Sequence, residues 1–551
     1  MRALLLYPKF PKTFWSFEKV LELAGKKALL PPLGMITVAA LLPQEWEFKL
    51  VDRNVRDISE AEWDWAEIVI LSGMIVQKPD LLALIVEAKR RGKKVAAGGP
   101  YATALYPELQ DAGIDYLILD EGEITLPMFV EALEAGEESG IFRATEKPDV
   151  TQTPIPRFDL LEMDAYDNMS VQFSRGCPFQ CEFCDIIVLY GRKPRTKTPQ
   201  QILDELQALL DLGWSGSIFM VDDNFIGNKR NVKLMLKELK TWREERGYPF
   251  SFITEASVDL ADDPELLDLM VECDFHWVFL GIETPSEESL TLTKKFQNTR
   301  NPLLESVHTI TKAGIQIMAG FIIGFDGETK GAGDRLVRFV EESAIPIPLF
   351  SMLQALPDTA LWHRLEKEGR LLNAEGNINQ TTLMNFVPTR PIDEIAEEYV
   401  EGYSKLYDPE LFLDRVFRHY MMMGEPRHEE TFKVKRGKRL QGMKAGAKLI
   451  FRQGLLRKTR FKFWKYLLQI KKHKPGLLET YLTACAFFEH FGEYRQVIKA
   501  EISQQLESHL QNFPTSTQDL ENISDKPLEV SFSSHISNPK CIVVYRNFDK
   551  K

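Results

Sequence analysis

The chain has 551 residues, of which 44% are hydrophobic and 27% are charged, and its formal net charge is -12. This length exceeds the range of about 50 to 250 residues that one hydrophobic core usually serves, so the sequence predicts two or three domains. No window approaches the roughly 18 uninterrupted apolar residues of a membrane span, and Pro8 and Lys9 interrupt the first apolar run too early for a secretion signal. Three of the six cysteines are clustered, which excludes a disulfide framework and fits a cytoplasmic, reducing environment.

The first 146 residues alternate short apolar runs with amphipathic segments. Runs of strand length lie at 2–8, 48–52, 67–73, 94–99 and 115–120, and helical patterns include 79–92 and 124–136. Buried strands separated by helices of about 10–15 residues are typical of a doubly wound α/β domain. Such domains bind ligands at the carboxyl ends of their strands. We therefore predict a ligand-binding α/β domain over residues 1–146.

Polar and glycine-containing loops follow four of these runs. They are Asp52 and Asn54; Ser72, Gly73 and Met74; Gly98, Gly99 and Pro100; and Glu121, Gly122 and Glu123. Glycine allows the backbone to approach a bulky ligand closely. Taken alone, each loop is more typical of an ordinary strand-to-helix turn, but together they are candidate ligand contacts.

A polar, proline-bearing linker is predicted over 147–165, and a second alternation of strands and helices over 166–390. The predicted strands are 169–174, 217–222, 250–257, 276–283, 315–325 and 347–356. Six strand-helix units favour a partial (β/α)6 barrel, in which reactive groups lie where strands end. Polar residues at these strand ends are Asp222, Asp223, Asn224, Glu255, Glu283 and Asp326. The three clustered cysteines follow the first barrel strand, at the same rim.

Beyond residue 390 the pattern becomes helical, and we predict a helical C-terminal domain over 391–512 and a polar, loosely ordered tail over 513–551. Residues 431–475 contain sixteen Lys or Arg and no Asp or Glu, which leaves -28 on the rest of the chain. Apolar residues interleaved with these cations are typical of a helix on an anionic membrane surface, and equally of a helix packed on the acidic remainder of the protein. A nucleic-acid partner is not expected, because no nucleic-acid-binding motif accompanies the segment.

Cys177, Cys181 and Cys184 supply three thiolates in one loop with Cys-x3-Cys-x2-Cys spacing. A closed zinc site needs a fourth ligand, and no further Cys or His occurs before Cys273. A redox pair of Cys181 and Cys184 leaves Cys177 without a role. A [4Fe-4S] cluster held by three cysteines keeps one iron open for a substrate or cofactor. The spacing and the strand-end position favour this open cluster.

With Phe183 before its last cysteine, the loop resembles that of the radical S-adenosylmethionine (SAM) superfamily. The resemblance implies that the three cysteines hold a [4Fe-4S] cluster, that its open iron is chelated by SAM, and that Phe183 lies near the adenine. The glycine-glycine-glutamate element usual in the family is absent, and the 222–224 turn takes its place. We predict that this turn meets the SAM amino group and that Glu255 lies near the ribose. Glu283 is also a predicted cofactor contact.

The N-terminal domain, with its VDRN, LSGM, AAGGP and DEGE loops, resembles that of cobalamin-binding radical SAM proteins. Asn54 stands where a cobalt-ligating His is found in the Asp-x-His-x-x-Gly motif, so the resemblance implies cobalamin without a protein histidine on cobalt. Four further motifs resemble the subgroup that includes bacterial hopanoid C-2 methyltransferase, over most of residues 1–510. They are CPFQCEFCDIIVLYGRKPRTKTPQQI, VDDNFIGN, GIETP and LQALPDTALW.

The resemblance implies a cobalamin-dependent C-methyltransferase acting on an unactivated carbon of a hydrophobic polycyclic substrate, such as a hopanoid-like lipid or a tetrapyrrole. An electron donor such as flavodoxin or ferredoxin is expected, and the substrate pocket is expected between the two α/β domains, closed by the C-terminal region. Two alternatives remain. One is a radical SAM enzyme that catalyses a rearrangement, cyclisation or oxidation, and the other is a non-enzymatic iron-sulfur sensor.

Overall fold

The computed structural model describes residues 1–372, 378–425, 436–512 and 543–545. Its N-terminal domain contains a parallel sheet made of β1 (Arg2–Tyr7), β2 (Glu47–Asp52), β3 (Ile68–Ser72), β4 (Lys94–Gly98), β5 (Tyr116–Ile118) and β6 (Gly140–Arg143). The helices of this part of the chain are α1 (Glu18–Ala24), α2 (Leu33–Leu41), α3 (Glu60–Trp65), α4 (Lys78–Arg90), α5 (Gly99–Asp111) and α6 (Gly122–Glu134). The prediction omits β6, because its four residues, GIFR, are too few to show a periodicity.

The strands of this sheet are apolar on both sides. Leu4 and Leu6 of β1 belong to the core on one face, whereas Ala3 and Leu5 belong to the core on the other. Burial on both faces explains why these strands read as continuous apolar runs. The doubly wound fold predicted for this domain is confirmed.

The strand order β2-β1-β3-β4-β5-β6 reverses direction at β1, which pairs with both β2 and β3. In an open α/β sheet, the crevice outside the carboxyl ends of the strands at such a reversal is the usual ligand site. All four predicted loops lie at that carboxyl edge, after β2, β3, β4 and β5.

The central domain follows a connection that contains three short 3-10 turns, at Val150–Gln152, Phe158–Leu160 and Met163–Ala165. Its strands are β7 (Met169–Val171), β8 (Ser174–Arg175), β9 (Arg195–Thr196), β10 (Gly216–Met220), β11 (Phe250–Ala256), β12 (Phe275–Glu283), β13 (Gln316–Ile323) and β14 (Ile347–Met352). Its helices are α7 (Ile186–Leu189), α8 (Pro199–Asp211), α9 (Lys229–Glu245), α10 (Pro264–Glu272), α11 (Glu287–Leu292), α12 (Leu303–Ala313) and α13 (Ala332–Ser343).

Six of these strands form a parallel sheet in the order β14-β13-β12-β11-β10-β7, which confirms the partial barrel. The first predicted strand is divided: β7 ends at Val171, and β8 pairs with β9 in a separate antiparallel ribbon. The cysteine loop lies between β8 and β9, so this ribbon closes its base.

The C-terminal region is helical, as predicted. It comprises α14 (Ala360–Lys367), α15 (Ile392–Leu406), α16 (Pro409–Met422), α17 (Arg436–Phe451), α18 (Arg460–His473) and α19 (Leu478–Asn512), with a π-helical turn at Arg452–Leu456. The long helix α19 contacts α1, α15 and α16. Its aromatic residues share one core with the barrel, as in the contact between Phe487 and Trp277, whose ring centroids are 5.4 Å apart.

The predicted tail falls largely outside the described residues, because of 513–551 the structure describes only β15 (Val543–Tyr545), which pairs with β6. Of the predicted basic segment 431–475, the first five residues lie outside the description, which begins again at Arg436. A search of the described helices finds none that is both long and apolar enough to cross a membrane.

Candidate functional site

The cysteine loop begins with a tight turn at Gly176. Its φ is +91°, and a Cβ at this position would lie 2.8 Å from the carbonyl oxygen of Gly191, so only glycine fits without strain. The N–H of Cys177 donates to that same carbonyl at 3.2 Å, and the N–H of Cys184 donates to the carbonyl of Cys181 at 3.2 Å. The backbone of the loop is therefore closed on itself.

The acidic turn after β10 holds the start of this loop. Asp222 accepts hydrogen bonds from the N–H groups of Phe173 and Ser174, both at 2.8 Å, and Asp223 accepts one from the N–H of Gly176 at 2.7 Å. Burial raises the pKa of Asp222 to about 7 and that of Asp223 to about 6. Both oxygens of Asp222 are engaged by the chain itself, so its predicted contact with the SAM amino group stays a prediction.

The three thiols lie in a largely buried environment and are not paired in disulfides. Burial raises the pKa of both Cys177 and Cys184. Two amides point at the sulfurs: Asn224 Nδ2 is 4.0 Å from Cys177 Sγ, and Gln297 Nε2 is 3.5 Å from Cys181 Sγ. Amide donors around thiolates are the usual surroundings of an iron-sulfur cluster.

A single metal ion does not fit this arrangement. In the part of the chain that the structure describes, no group of three His, Cys, Asp or Glu side chains is arranged to hold one ion. A four-iron cluster makes a different demand, because each thiolate binds a separate iron. Three largely buried thiols in one loop, each able to bind a separate iron, fit the open cluster better than zinc.

Phe183, within the loop, and Glu283, at the end of β12, both contact Lys295. The ring centroid of Phe183 lies 5.7 Å from that of Phe325 and 5.7 Å from Lys295 Nζ. Glu283 forms a buried ion pair with Lys295. Its backbone has a φ of +65°, an uncommon conformation for a non-glycine residue. The carboxylate of Glu283 thus contacts the ammonium group of Lys295, which in turn lies over the ring of Phe183 in the cysteine loop.

Glu255 lies in the barrel interior on β11. Alternate residues of this strand are fully buried, whereas Ser251, Ile253 and Glu255 face the lumen and keep partial exposure. Burial raises the pKa of Glu255 to about 8, and the nearby carboxylates of Asp223 and Asp222 add to the rise. A partly exposed carboxyl group with a raised pKa is available to a ligand in the lumen.

On the cobalamin side, Asp52 and Asn54 are tied to each other and to the chain. Asn54 Nδ2 donates to Asp52 Oδ1 at 2.7 Å, and Asn54 Oδ1 accepts from the N–H of Phe10 at 2.8 Å. Tyr166 donates its hydroxyl to Asp52 Oδ2 at 3.1 Å. Burial raises the pKa of Asp52. Asn54 thus holds the loop after β1.

The glycine loops form a close-packed floor at the sheet edge. A Cβ on Gly99, whose φ is +85°, would lie 2.3 Å from Ser72 Oγ, and one on Gly98 would lie 2.7 Å from the carbonyl of Ile118. Beyond this floor, Met74 is 49% exposed although it is large and apolar. A flat, small-residue edge with an exposed apolar side chain fits a bulky planar ligand such as cobalamin.

Glu121 and Glu123 face the cysteine loop. Arg175 donates to Glu121 at 2.9 Å and to Glu123 at 3.0 Å, and Arg195 donates to Glu121 at 2.8 Å. The Thr153 hydroxyl also donates to Glu123, at 2.8 Å. Although burial opposes it, the pKa of Glu123 is lowered, because Arg175 favours the carboxylate. The two arginines lie on the β8-β9 ribbon, so these contacts join the two α/β domains.

Three family models match the chain in order: a B12 binding domain over 24–130, the radical SAM superfamily over 171–340, and a domain of unknown function, DUF4070, over 359–504. An uncharacterized methyltransferase of Synechocystis sp. is 67% identical over 511 residues, covering 93% of this chain and 95% of the relative. The hopanoid C-2 methylase of Rhodopseudomonas palustris is 34% identical over 483 residues, covering 85% and 89%.

This chain belongs to the cobalamin-binding-domain radical SAM family. It is an enzyme of the family's methyltransferase branch, and its cofactors are a [4Fe-4S] cluster, SAM and cobalamin. The structure of the cobalamin-dependent SAM radical enzyme OxsB with aqua-cobalamin bound shares the fold, with a TM-score of 0.57 at 16% identity over 95% of this chain and 83% of that one. The family's chemistry requires an electron donor and a small-molecule substrate.

Sequence reasoning missed several residues that the fold brings to this family's characteristic loop. Lys295 and Gln297 lie more than 100 positions from the cysteines, and nothing in their local sequence marks them. Arg364 of α14 pairs with Glu182 at 2.8 Å and with Asp326 at 2.7 Å. The LQALPDTALW motif, which ends two residues before Arg364, was the available signal for this contact.

Proposed function

We propose that this enzyme transfers a methyl group to an unactivated carbon of a hydrophobic polycyclic molecule, a hopanoid-like lipid or a tetrapyrrole. The supporting observation is that the B12-domain loop Glu121–Glu123 contacts the cysteine loop through Arg175. When bound, the cluster with SAM supplies a radical able to remove hydrogen from such a carbon, and cobalamin supplies the methyl group. The residues of the chain position these cofactors and exclude water.

We assign the cluster to Cys177, Cys181 and Cys184, and cobalamin to the carboxyl edge of the N-terminal sheet. The fit rests on the chemistry of the three thiols and on the floor formed by Gly98 and Gly99, where a Cβ would clash. Partial exposure of Cys177 and Cys184 leaves the loop accessible to a small electron donor, which we take to be of the flavodoxin or ferredoxin type.

The barrel lumen supports a hydrophobic substrate. Phe279 and Ile253 face it beside Glu255 and remain partly exposed. Trp15, from the segment after β1, packs on Phe279 with ring centroids 5.4 Å apart. Flat aromatic surfaces next to the carboxyl group of Glu255 suit a polycyclic molecule with few polar atoms. The relative named hopanoid C-2 methylase agrees with this substrate class.

We further propose that the basic region holds the enzyme at a membrane. Part of it packs on acidic groups, since Glu489 pairs with Arg457 at 3.0 Å and Asp414 pairs with Lys462 at 2.9 Å. The same region also exposes apolar side chains to solvent. Seven large apolar residues between 443 and 468 are 37% to 75% exposed. They are Met443, Phe451, Leu455, Leu456, Phe461, Trp464 and Leu468.

The helix α18 shows both faces. Phe463, Leu467 and Ile470 are buried in the protein, whereas Phe461, Trp464 and Leu468 point to the other side at helical spacing. Five basic residues near this outer face lack an ion pair within the described part of the chain. They are Lys458, Arg460, Lys465, Lys471 and Lys472. Exposed apolar residues among free cations are the pattern of an interfacial helix.

Anaerobic reconstitution with iron, sulfide, cobalamin and methyl-labelled SAM tests the methyl transfer. With a reductant and a lipid extract from a deletion strain, labelled product and 5′-deoxyadenosine are expected together. Deoxyadenosine without methyl-cobalamin formation would favour a non-methylating radical enzyme. Failure of the cluster-loaded protein to cleave SAM would exclude both enzymatic functions.

A further inference from the structure

A segment distant in sequence holds the cysteine loop from the barrel side. The carbonyl of Thr293 accepts a hydrogen bond from the N–H of Glu182 at 3.1 Å, between two of the cluster cysteines. The following 3-10 turn, Phe296–Asn298, is anchored to β12, because Asn298 Nδ2 donates to the carbonyls of Gly281 and Ile282 at 3.0 and 2.9 Å. Segment 293–298 is therefore fixed at both ends.

Two side chains of this segment face the thiols. Gln297 is 4% exposed, and its Nε2 lies 3.5 Å from Cys181 Sγ. Lys295 is 8% exposed, and it lies between Glu283 and the ring of Phe183. An amide and an ammonium group buried this deeply are costly to desolvate unless they interact with acceptors. Here the acceptors are Glu283 and a cluster cysteine.

The absence of a side chain at Gly281 leaves room for the ion pair between Glu283 and Lys295. A Cβ on Gly281 would lie 2.6 Å from Glu283 Oε1 and 2.8 Å from Lys295 Nζ. The barrel strand thus provides room for both charged groups. Burial opposes the charge on Lys295, and the ion pair with the carboxylate of Glu283 offsets that cost.

We propose that Lys295 and Gln297 raise the reduction potential of the [4Fe-4S] cluster. A reduced cluster carries one more negative charge than the oxidised one. A cation nearby and a hydrogen bond to a ligand sulfur both stabilise that extra charge, so both raise the potential. Their effect makes the cluster easier to reduce by the electron donor. The inference rests on the cluster being held by Cys177, Cys181 and Cys184.

The test is an EPR-monitored redox titration of anaerobically reconstituted full-length protein. We expect Gln297→Leu and Lys295→Met to shift the midpoint potential to lower values. Lys294→Met is the matched control, because Lys294 is the exposed neighbour of Lys295, and its titration should overlay that of the wild type. Glu283→Gln should shift the potential upward, because it leaves the cation without its counter-charge.

Iron and sulfide content is measured in parallel, because it distinguishes a changed reduction potential from a lost cluster. Removing one partner of a buried ion pair destabilises proteins, so Lys295→Met is read together with Gln297→Leu, which changes no charge. Equal potentials for Gln297→Leu and Lys294→Met at full cluster content would overturn the proposal. A wild-type protein with no four-iron signal would overturn it together with the cluster assignment, whereas an intact cluster with unshifted potentials leaves that assignment standing.

Discussion

Arg175 forms hydrogen bonds at 2.9 Å to Glu121 and at 3.0 Å to Glu123, and it is the second residue before Cys177. The same guanidinium thus connects the B12 domain with the loop of Cys177, the first predicted cluster ligand. Arg195, on the paired strand β9, donates to Glu121 as well. Radical chemistry and methyl delivery have to meet at one carbon, so we propose that this ion cluster holds the two α/β domains at the spacing that their cofactors would need.

Replacing Arg175 with Met is expected to lower the free energy of unfolding by about 3–5 kcal/mol, because it leaves the buried carboxylate of Glu123 without its cation, whereas Glu121 keeps Arg195. Methyl transfer should fall further than cluster content does. Thermal unfolding, iron content and labelled-methyl transfer measure the three effects. Arg157→Met, which breaks the more exposed pair with Asp159 at 2.8 Å, is the control and should change stability by less than about 1 kcal/mol. Equal behaviour of the two variants would contradict the coupling.

Single replacement of Cys177, Cys181 or Cys184 with Ala should abolish the cluster and SAM cleavage. Iron and sulfide analysis with absorption spectroscopy measures the loss. Cys273→Ala provides the control, because Cys273 is buried elsewhere and its thiol donates to the carbonyl of Leu236 at 3.2 Å. That variant should keep its iron. Retention of a full cluster by any of the three loop variants would refute the ligand assignment.

The raised pKa of Glu255 predicts that the stability of the cofactor-free protein depends on pH. Burial raises its pKa from 4.5 to about 8, so the folded state binds a proton that the unfolded state releases. Its contribution to stability is therefore present below pH 4.5 and is lost as the pH rises to about 8. Glu255→Gln should gain stability relative to the wild type across that window, and Tm values measured between pH 5 and 9 follow it. A constant Tm difference would argue against the raised pKa.

Gly99→Ala should impair cobalamin binding. The new Cβ would meet Ser72 Oγ at 2.3 Å and force the floor of the ligand edge apart. Gly113→Ala is a close control, because Gly113 has nearly the same φ, +84°, but nothing within 4 Å of its Cβ position. Both variants therefore carry the same backbone strain, and they differ only in the clash of the Gly99→Ala methyl group with Ser72. Cobalamin retention by absorption spectroscopy should be lost only in Gly99→Ala, and equal retention would oppose the assigned site.

Membrane contact predicts flotation of the full-length protein with vesicles of phosphatidylglycerol and phosphatidylcholine, but weaker flotation with phosphatidylcholine alone. Phe461→Ser combined with Leu468→Ser should reduce it at least tenfold, since a fully buried side chain of this size contributes about 1.5–3 kcal/mol. Leu234→Ser is the control, because Leu234 is 51% exposed on α9. Salt should weaken binding. Unchanged flotation of the double variant would contradict membrane contact through Phe461 and Leu468, and would indicate that these exposed residues face another partner.

The local sequence was sufficient to predict the cysteine loop, the two α/β domains and the helical C-terminal region. The three cysteines of the Cys-x3-Cys-x2-Cys motif belong to one short loop, and strands buried on both faces appear in the sequence as apolar runs. The prediction omitted β6 and joined β7 and β8 into a single strand, 169–174, because such short segments carry too few residues for a period to emerge. The glycine loops after β3 and β4 were identified because strand ends are visible in the sequence.

Only the tertiary structure decided what surrounds that loop. The contact of the 222–224 turn with SAM stays a prediction, and what the structure adds is that the oxygens of Asp222 hold the backbone of Phe173 and Ser174. Gln297 reaches Cys181 across 116 positions, and Arg175 reaches Glu121 across 54. Such contacts depend on where the barrel and the N-terminal sheet bring distant side chains together. Motif spacing describes a continuous stretch of backbone, whereas hydrogen bonds and ion pairs between separate elements follow from packing.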